Sequence, residues 1–146
     1  MSDIFSMLQI SGSAMSAERQ RAEVVAANLA NANTTRTPDG GPYRRKEVVF
    51  ASQGASPFRL ALQRAGHLAD AAVRVARVVA DPASPLMRYE PGHPDANAQG
   101  FVAYPAINPI QEMVDLMGAV RAYQLNASAV NASKQMFQQA IDILRS

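Results

Sequence analysis

The chain contains no cysteine and no tryptophan. The first absence excludes disulfide frameworks, thiolate zinc sites and cysteine nucleophiles. Aromatic residues make up only 6%. Alanine is abundant, and small apolar side chains each remove little area from water, so the core should be thin. That favours an elongated or assembled protein over a dense globule. No apolar run approaches the roughly 20 residues needed to span a bilayer. The opening "MSDIFSMLQISGSAMSAERQ" places no basic segment ahead of its apolar residues and does not read as a cleavable secretory signal. Export would require another route.

Chemistry-bearing patterns are also scarce. There is no G-x-S-x-G and no glycine loop of the kind that cradles phosphates. His67 and His93 have no second histidine at helical spacing, which argues against a metal site. Glu90 and Asp95 read as surface carboxylates in a turn. His93-Pro94-Asp95 matches a cochaperone tripeptide, but prolines and glycines surround it where two packed helices are needed, so it reads as a turn. The expectation is a protein that is not an enzyme, with no catalytic residues, cofactor or metal.

What is present begins with length and charge. The 146 residues suit one compact domain, or a small one with long appendages. Formal net charge is only +2, yet nine basic residues stand against four acidic ones between Arg36 and Arg88. This excess is scattered over strands and turns and reads as solvated surface. Arg44, Arg45 and Lys46 form the only basic triplet, with Tyr43 alone beside it. Nucleic-acid binding would call for more stacking groups or a recognition helix, so contact with a neighbouring protein is the preferred reading.

The strongest pattern lies in the last third. Asn108-Pro109 supplies a cap and a first helical residue. Met113, Leu116, Val120, Tyr123, Ala127, Val130, Lys134, Phe137, Ile141 and Leu144 then follow at alternating steps of three and four. This is a heptad seam with one polar interruption, on a helix of about 50 Å. The N-terminal segment repeats it more weakly through Ile4, Leu8, Met15, Ala22, Val25 and Leu29, with Ser11 and Glu18 in the remaining positions. A seam so rich in small and polar residues should be marginal until other helices cover it.

Between these ends the period changes. Tyr43–Phe50, Val73–Val79 and Gly100–Pro105 read as strands, and 58–80 as a whole is read as strand in preference to helix. Residues 81–100 hold four prolines and two glycines and read mostly as turns. The fold class expected is α+β. Long terminal helices (1–34 and 108–146) pair as a coiled coil, and a small β-rich domain (35–107) is inserted between them.

The stretch "ANLANANTTRTPDGGPYRRKEVVF" (27–50) is then the junction between helix and insert. Asn28, Asn31 and Asn33 tolerate capping and left-handed conformations, and Gly40, Gly41 and the flanking prolines reset direction. This stretch resembles the N-terminal signature of bacterial flagellar rod, hook and hook-associated axial proteins. Its "GGPYRRKEVVF" ending looks like the FlgC type, found in the proximal rod. "YEPGHPDANAQGFVAYPAINPIQEMVDLMGAVRAYQLNASAVNASKQMFQQAIDIL" is similar to the C-terminal half of the same type, with Ala106 standing where the usual run has asparagine.

The resemblance implies a structural subunit of the periplasmic rod of the flagellar basal body. It also implies export through the flagellar type III apparatus without a cleaved signal. Partners would be other rod proteins and further copies of the chain, with no nucleic acid and no membrane insertion. Assembly would use Leu8, Met15, Val25, Leu29, Leu116, Val120, Tyr123, Val130, Phe137 and Ile141. The junction would use Asn28, Asn31, Asn33, Gly40, Gly41, Tyr43, Arg44, Arg45 and Lys46. Alternatives are another rod or hook subunit, a peptidoglycan-acting envelope enzyme, or a membrane-surface protein. The last would need a Lys/Arg-rich face opposite its apolar seam, which this chain lacks.

Overall fold

The computed structural model describes residues 2–53 and 72–145. The expected strand over 58–71 lies outside them, as do the side chains of Ile4 and Leu144. The elements are α1 (Ser2–Ala30), β1 (Lys46–Gln53), β2 (Ala72–Ala80), β3 (Leu86–Tyr89), β4 (Phe101–Tyr104) and α2 (Pro109–Arg145). Two long helices thus flank a β-containing middle, an α+β arrangement. The chain folds as two compact units. One comprises Met1–Gln20, Phe50–Ala76 and Ala119–Ser146, and the other Arg21–Val49 and Arg77–Gly118.

Helix α1 forms because 29 residues pass without proline and are rich in Ala, Met, Leu, Gln and Glu. It stops at the asparagines. The Asn31 amide N–H shares the carbonyls of Ala27 and Asn28, and the Asn31 side chain donates to Ala27 O at 2.8 Å. The side chain thereby adds a second donor to the last α-helical carbonyl and caps the end locally. Helix α2 starts as its cap dictates: Asn108 Oδ1 accepts from the Ile110 N–H at 3.0 Å, and Pro109 takes the first helical position. At 37 residues it is about 55 Å long.

Strands β1 and β2 pair as one two-stranded sheet, and β3 and β4 as another. The second pair is antiparallel, with Leu86 opposite Tyr104 and Tyr89 opposite Phe101. Residues 81–100 are mostly turn, as expected, except for the four residues of strand β3. Pro85 and Pro91 bracket a short run, Leu86-Met87-Arg88-Tyr89, that carries all its backbone donors and can pair with β4. Tyr89 and Phe101 then meet edge to face with centroids 5.3 Å apart. Gly100 closes the turn at φ 80°, where a Cβ would lie 2.9 Å from the Tyr89 ring. Strand β1 also begins three residues later than Tyr43, because 43–45 are used by the junction.

The apolar core is small and built mostly of small residues: Ala17, Val25, Ala32, Ala72, Val102, Ile107 and Ala119 are buried. Among the described residues, no helix is long and apolar enough to cross a membrane.

Candidate functional site

The junction is organised by one asparagine. Asn28, in the last turn of α1, has no exposed surface. Its Nδ2 donates to the Lys46 carbonyl at 2.8 Å and to Glu112 Oε2 at 3.0 Å. Its Oδ1 accepts from the Lys46 N–H at 2.9 Å and from the Tyr43 hydroxyl at 3.2 Å. Both N–H groups and both lone pairs of the amide are therefore used. Towards Lys46 the side chain behaves as a short piece of backbone, offering one donor and one acceptor to the first residue of β1. Helix end and strand start are joined at a single residue.

Glu112 completes the site. It lies in the first turn of α2, where a carboxylate favours the positive end of the helix dipole. It is 1% exposed, and its Oε1 accepts from Arg45 Nε at 2.6 Å. Arg45 also pairs with Glu47 and lies 3.8 Å from Asp115 and 4.0 Å from Asp81. Arg21 shares Asp115 at 3.7 Å. Two guanidinium groups thus gather four carboxylates contributed by β1, α2 and the residue that follows β2. Burial pulls the Arg45 pKa down, but the hydrogen bond and charge of Glu112, then those of Glu47, outweigh it, and the value is raised. The Tyr43 phenol is also pushed up, first by burial and then by the Glu112 charge. Both shifts keep the proton on the donor, so Arg45 and Tyr43 hold the hydrogen bonds that fix the junction's geometry.

The junction residues named from sequence divide. Tyr43 and the Lys46 backbone converge on Asn28, and Asn28 and Arg45 on Glu112, while Asn31 caps its own helix and accepts from Thr34 Oγ1 at 3.1 Å. Asn33 and Arg44 are exposed. Gly40 and Gly41 take φ of 87° and 75°, a conformation that costs glycine little. The sequence reading missed Glu112, Asp81 and Asp115, as well as the Thr35 Oγ1 to Asp95 Oδ2 bond of 2.7 Å. The available signal was a lone acid three residues after the α2 proline, answering a basic triplet.

The helical residues also divide. On α1, Val25 is buried, and Leu8, Met15 and Leu29 are half-buried. On α2, Leu116 and Val130 are half-buried, whereas Val120, Tyr123, Phe137 and Ile141 are exposed. The innermost row of α2 runs instead through Glu112, Ala119 and Ser133, one position before Met113, Val120 and Lys134. Small side chains on that row permit close approach. Ser133 Oγ lies 3.2 Å from the Met7 sulfur and donates to the Ala129 carbonyl at 2.9 Å. The bulky row is left outside.

The family model described as flagella basal body rod protein matches residues 8–36. The model described as flagellar basal body rod FlgEFG protein C-terminal matches residues 98–143. The chain is 37% identical to the flagellar basal-body rod protein FlgC of Borreliella burgdorferi, covering 97% of this chain and 98% of that protein. It is 39% identical to FlgC of Bacillus subtilis, over 95% and 97% of the two chains. With FlgC of Salmonella typhimurium the identity is 38%, over 96% and 97%.

Proposed function

The chain belongs to the flagellar basal-body rod proteins of the FlgC type, and from that premise we propose that it is a structural subunit of the basal-body rod and not an enzyme. Its place is the proximal rod, in the periplasm, among other rod proteins and further copies of itself. It reaches that place through the flagellar export apparatus without losing a signal peptide.

Residues 1–34 and 108–146 serve as the assembling helical part, paired as a coiled coil, with 35–107 carried as an insert. Contacts within one unit support antiparallel pairing: Arg21 meets Asp115 and Asn28 meets Glu112. The observation that carries the assembly reading is the number of large apolar side chains that α2 leaves exposed. Met113, Val120, Phe137 and Ile141 are 39–54% exposed, and Ile110, Leu125 and Ile143 more than 70%. A long helix in water does not keep so many large apolar groups outside unless another surface covers them. Heterologous contacts repeated along an axis would bury these groups without closing the assembly.

Val130→Asp tests the assignment. It places a charge on the half-buried seam, so cells carrying it should be non-motile and lack rods, while the β3–β4 hairpin keeps its fold. Normal swimming of these cells would remove the terminal helices as the assembling surface.

A further inference from the structure

The basic triplet does not act as a unit. Arg45 turns inward to Glu112, while Arg44 and Lys46 are exposed and line a groove of about 640 Å³ together with Arg36. Its remaining wall includes Pro38, Pro42, Tyr43 and one carboxylate, Asp39. Three cations against one anion leave an excess of two positive charges, which equals the formal net charge of the whole chain.

The wall is preorganised. The Thr37 N–H donates to the Gly41 carbonyl at 2.9 Å, the Gly40 N–H to the Thr37 carbonyl at 3.0 Å, and the Tyr43 N–H to the Thr34 carbonyl at 3.0 Å. The Thr37 hydroxyl adds a bond to the Gly41 carbonyl at 3.2 Å. Two consecutive glycines at positive φ shape the tip. A loop held this way pays little entropy when a ligand arrives. Within the groove, Lys46 Nζ lies 5.7 Å from the centre of the Tyr43 ring, so one cation is already seated beside an aromatic wall. Among the described residues, Arg44 has no acidic partner, and Arg36 reaches only Asp95, at 3.6 Å and 79% exposed.

We propose that this groove docks an acidic, extended segment of a neighbouring subunit, its carboxylates meeting Arg44, Lys46 and Arg36. The guanidinium forks match carboxylates in two-point geometry, and the proline and tyrosine walls suit an extended backbone. The volume falls within the roughly 300–1,000 Å³ of ligand clefts. The neighbour is a protein and not a nucleic acid, because a single aromatic wall provides no run of stacking platforms. This proposal rests on the chain being an assembled subunit, but it uses a surface separate from the apolar row of α2.

The test uses the purified full chain and a fluorescent peptide of alternating glutamate and glycine. Binding should be lost progressively with salt. It should weaken about tenfold or more in Arg44→Glu/Lys46→Glu, with a smaller loss in the neutral Arg44→Gln/Lys46→Gln. The neutral pair keeps the test valid if charge reversal disturbs folding. Equal binding by the neutral variant and the native chain overturns the proposal, as does tighter binding of a single-stranded oligonucleotide. In cells, the charge-reversed chain should be exported yet fail to build rods. Normal rods there overturn the docking groove and leave the rod assignment intact, whereas swimming Val130→Asp cells remove the helical surface and leave the groove.

Discussion

Replacing Arg45 with methionine isolates the junction. Methionine fills much of the aliphatic volume but donates no hydrogen bond. Glu112, 1% exposed, would then keep Asn28 and lose the 2.6 Å bond to its Oε1. Asp81 and Asp115 would lose a nearby cation as well. Removing one half of a buried pair costs about 3–5 kcal/mol, because the remaining charge is stranded away from water. The Arg45 side chain is 19% exposed, so water reaches part of the cluster, and the lower end, about 3 kcal/mol, is expected. Against a total stability of roughly 5–15 kcal/mol that is a large fraction. Urea unfolding followed by circular dichroism measures it, with Arg44→Met as the exposed control expected within about 0.5 kcal/mol. Adding Glu112→Gln removes the stranded charge, so the double variant should recover about 2 kcal/mol of the loss by a mutant cycle. A loss below about 1 kcal/mol for Arg45→Met, or an equal loss for Arg44→Met, would refute the claim that this pair holds the junction.

Two further outcomes follow from the same structure. Tyr43 is raised above its ordinary 10.0, so the stability it contributes is complete below that pH and disappears as pH climbs through the folded value. Tyrosinate absorbance, assigned by comparison with Tyr43→Phe, should show the native group titrating late. In Glu112→Gln it should titrate earlier but still above 10.0, because burial, the larger cause, remains. Gly100→Ala should cost about 1–2 kcal/mol: the site sits at φ 80°, and the new Cβ would be 3.2 Å from Pro91 and closer to Tyr89. Gly92→Ala, with nothing within 4 Å, is the control, and equal denaturation midpoints for the two would contradict this reasoning.

The sequence by itself determined the two helices, the arrest of the first at the asparagines and the capping of the second at Asn108. It also determined the later strands 72–80 and 101–104. These features depend on interactions within a few residues: periodicity, turn chemistry, and the loss of a donor at proline. The near absence of chemistry-bearing motifs and the family were legible in the same way, since both are properties of short stretches. Only the tertiary structure decided which asparagine joins helix to strand, because Asn28 and Asn31 look alike in sequence and differ in what lies 18 and 84 residues away. It separated Arg45 from Arg44 and Lys46, and it made Glu112 a buried partner instead of a surface acid. It also turned the inner face of α2 by one position, onto Ala119 and Ser133. A heptad pattern records where bulky apolar groups lie, and it does not say whether the first neighbour to cover them belongs to the same chain.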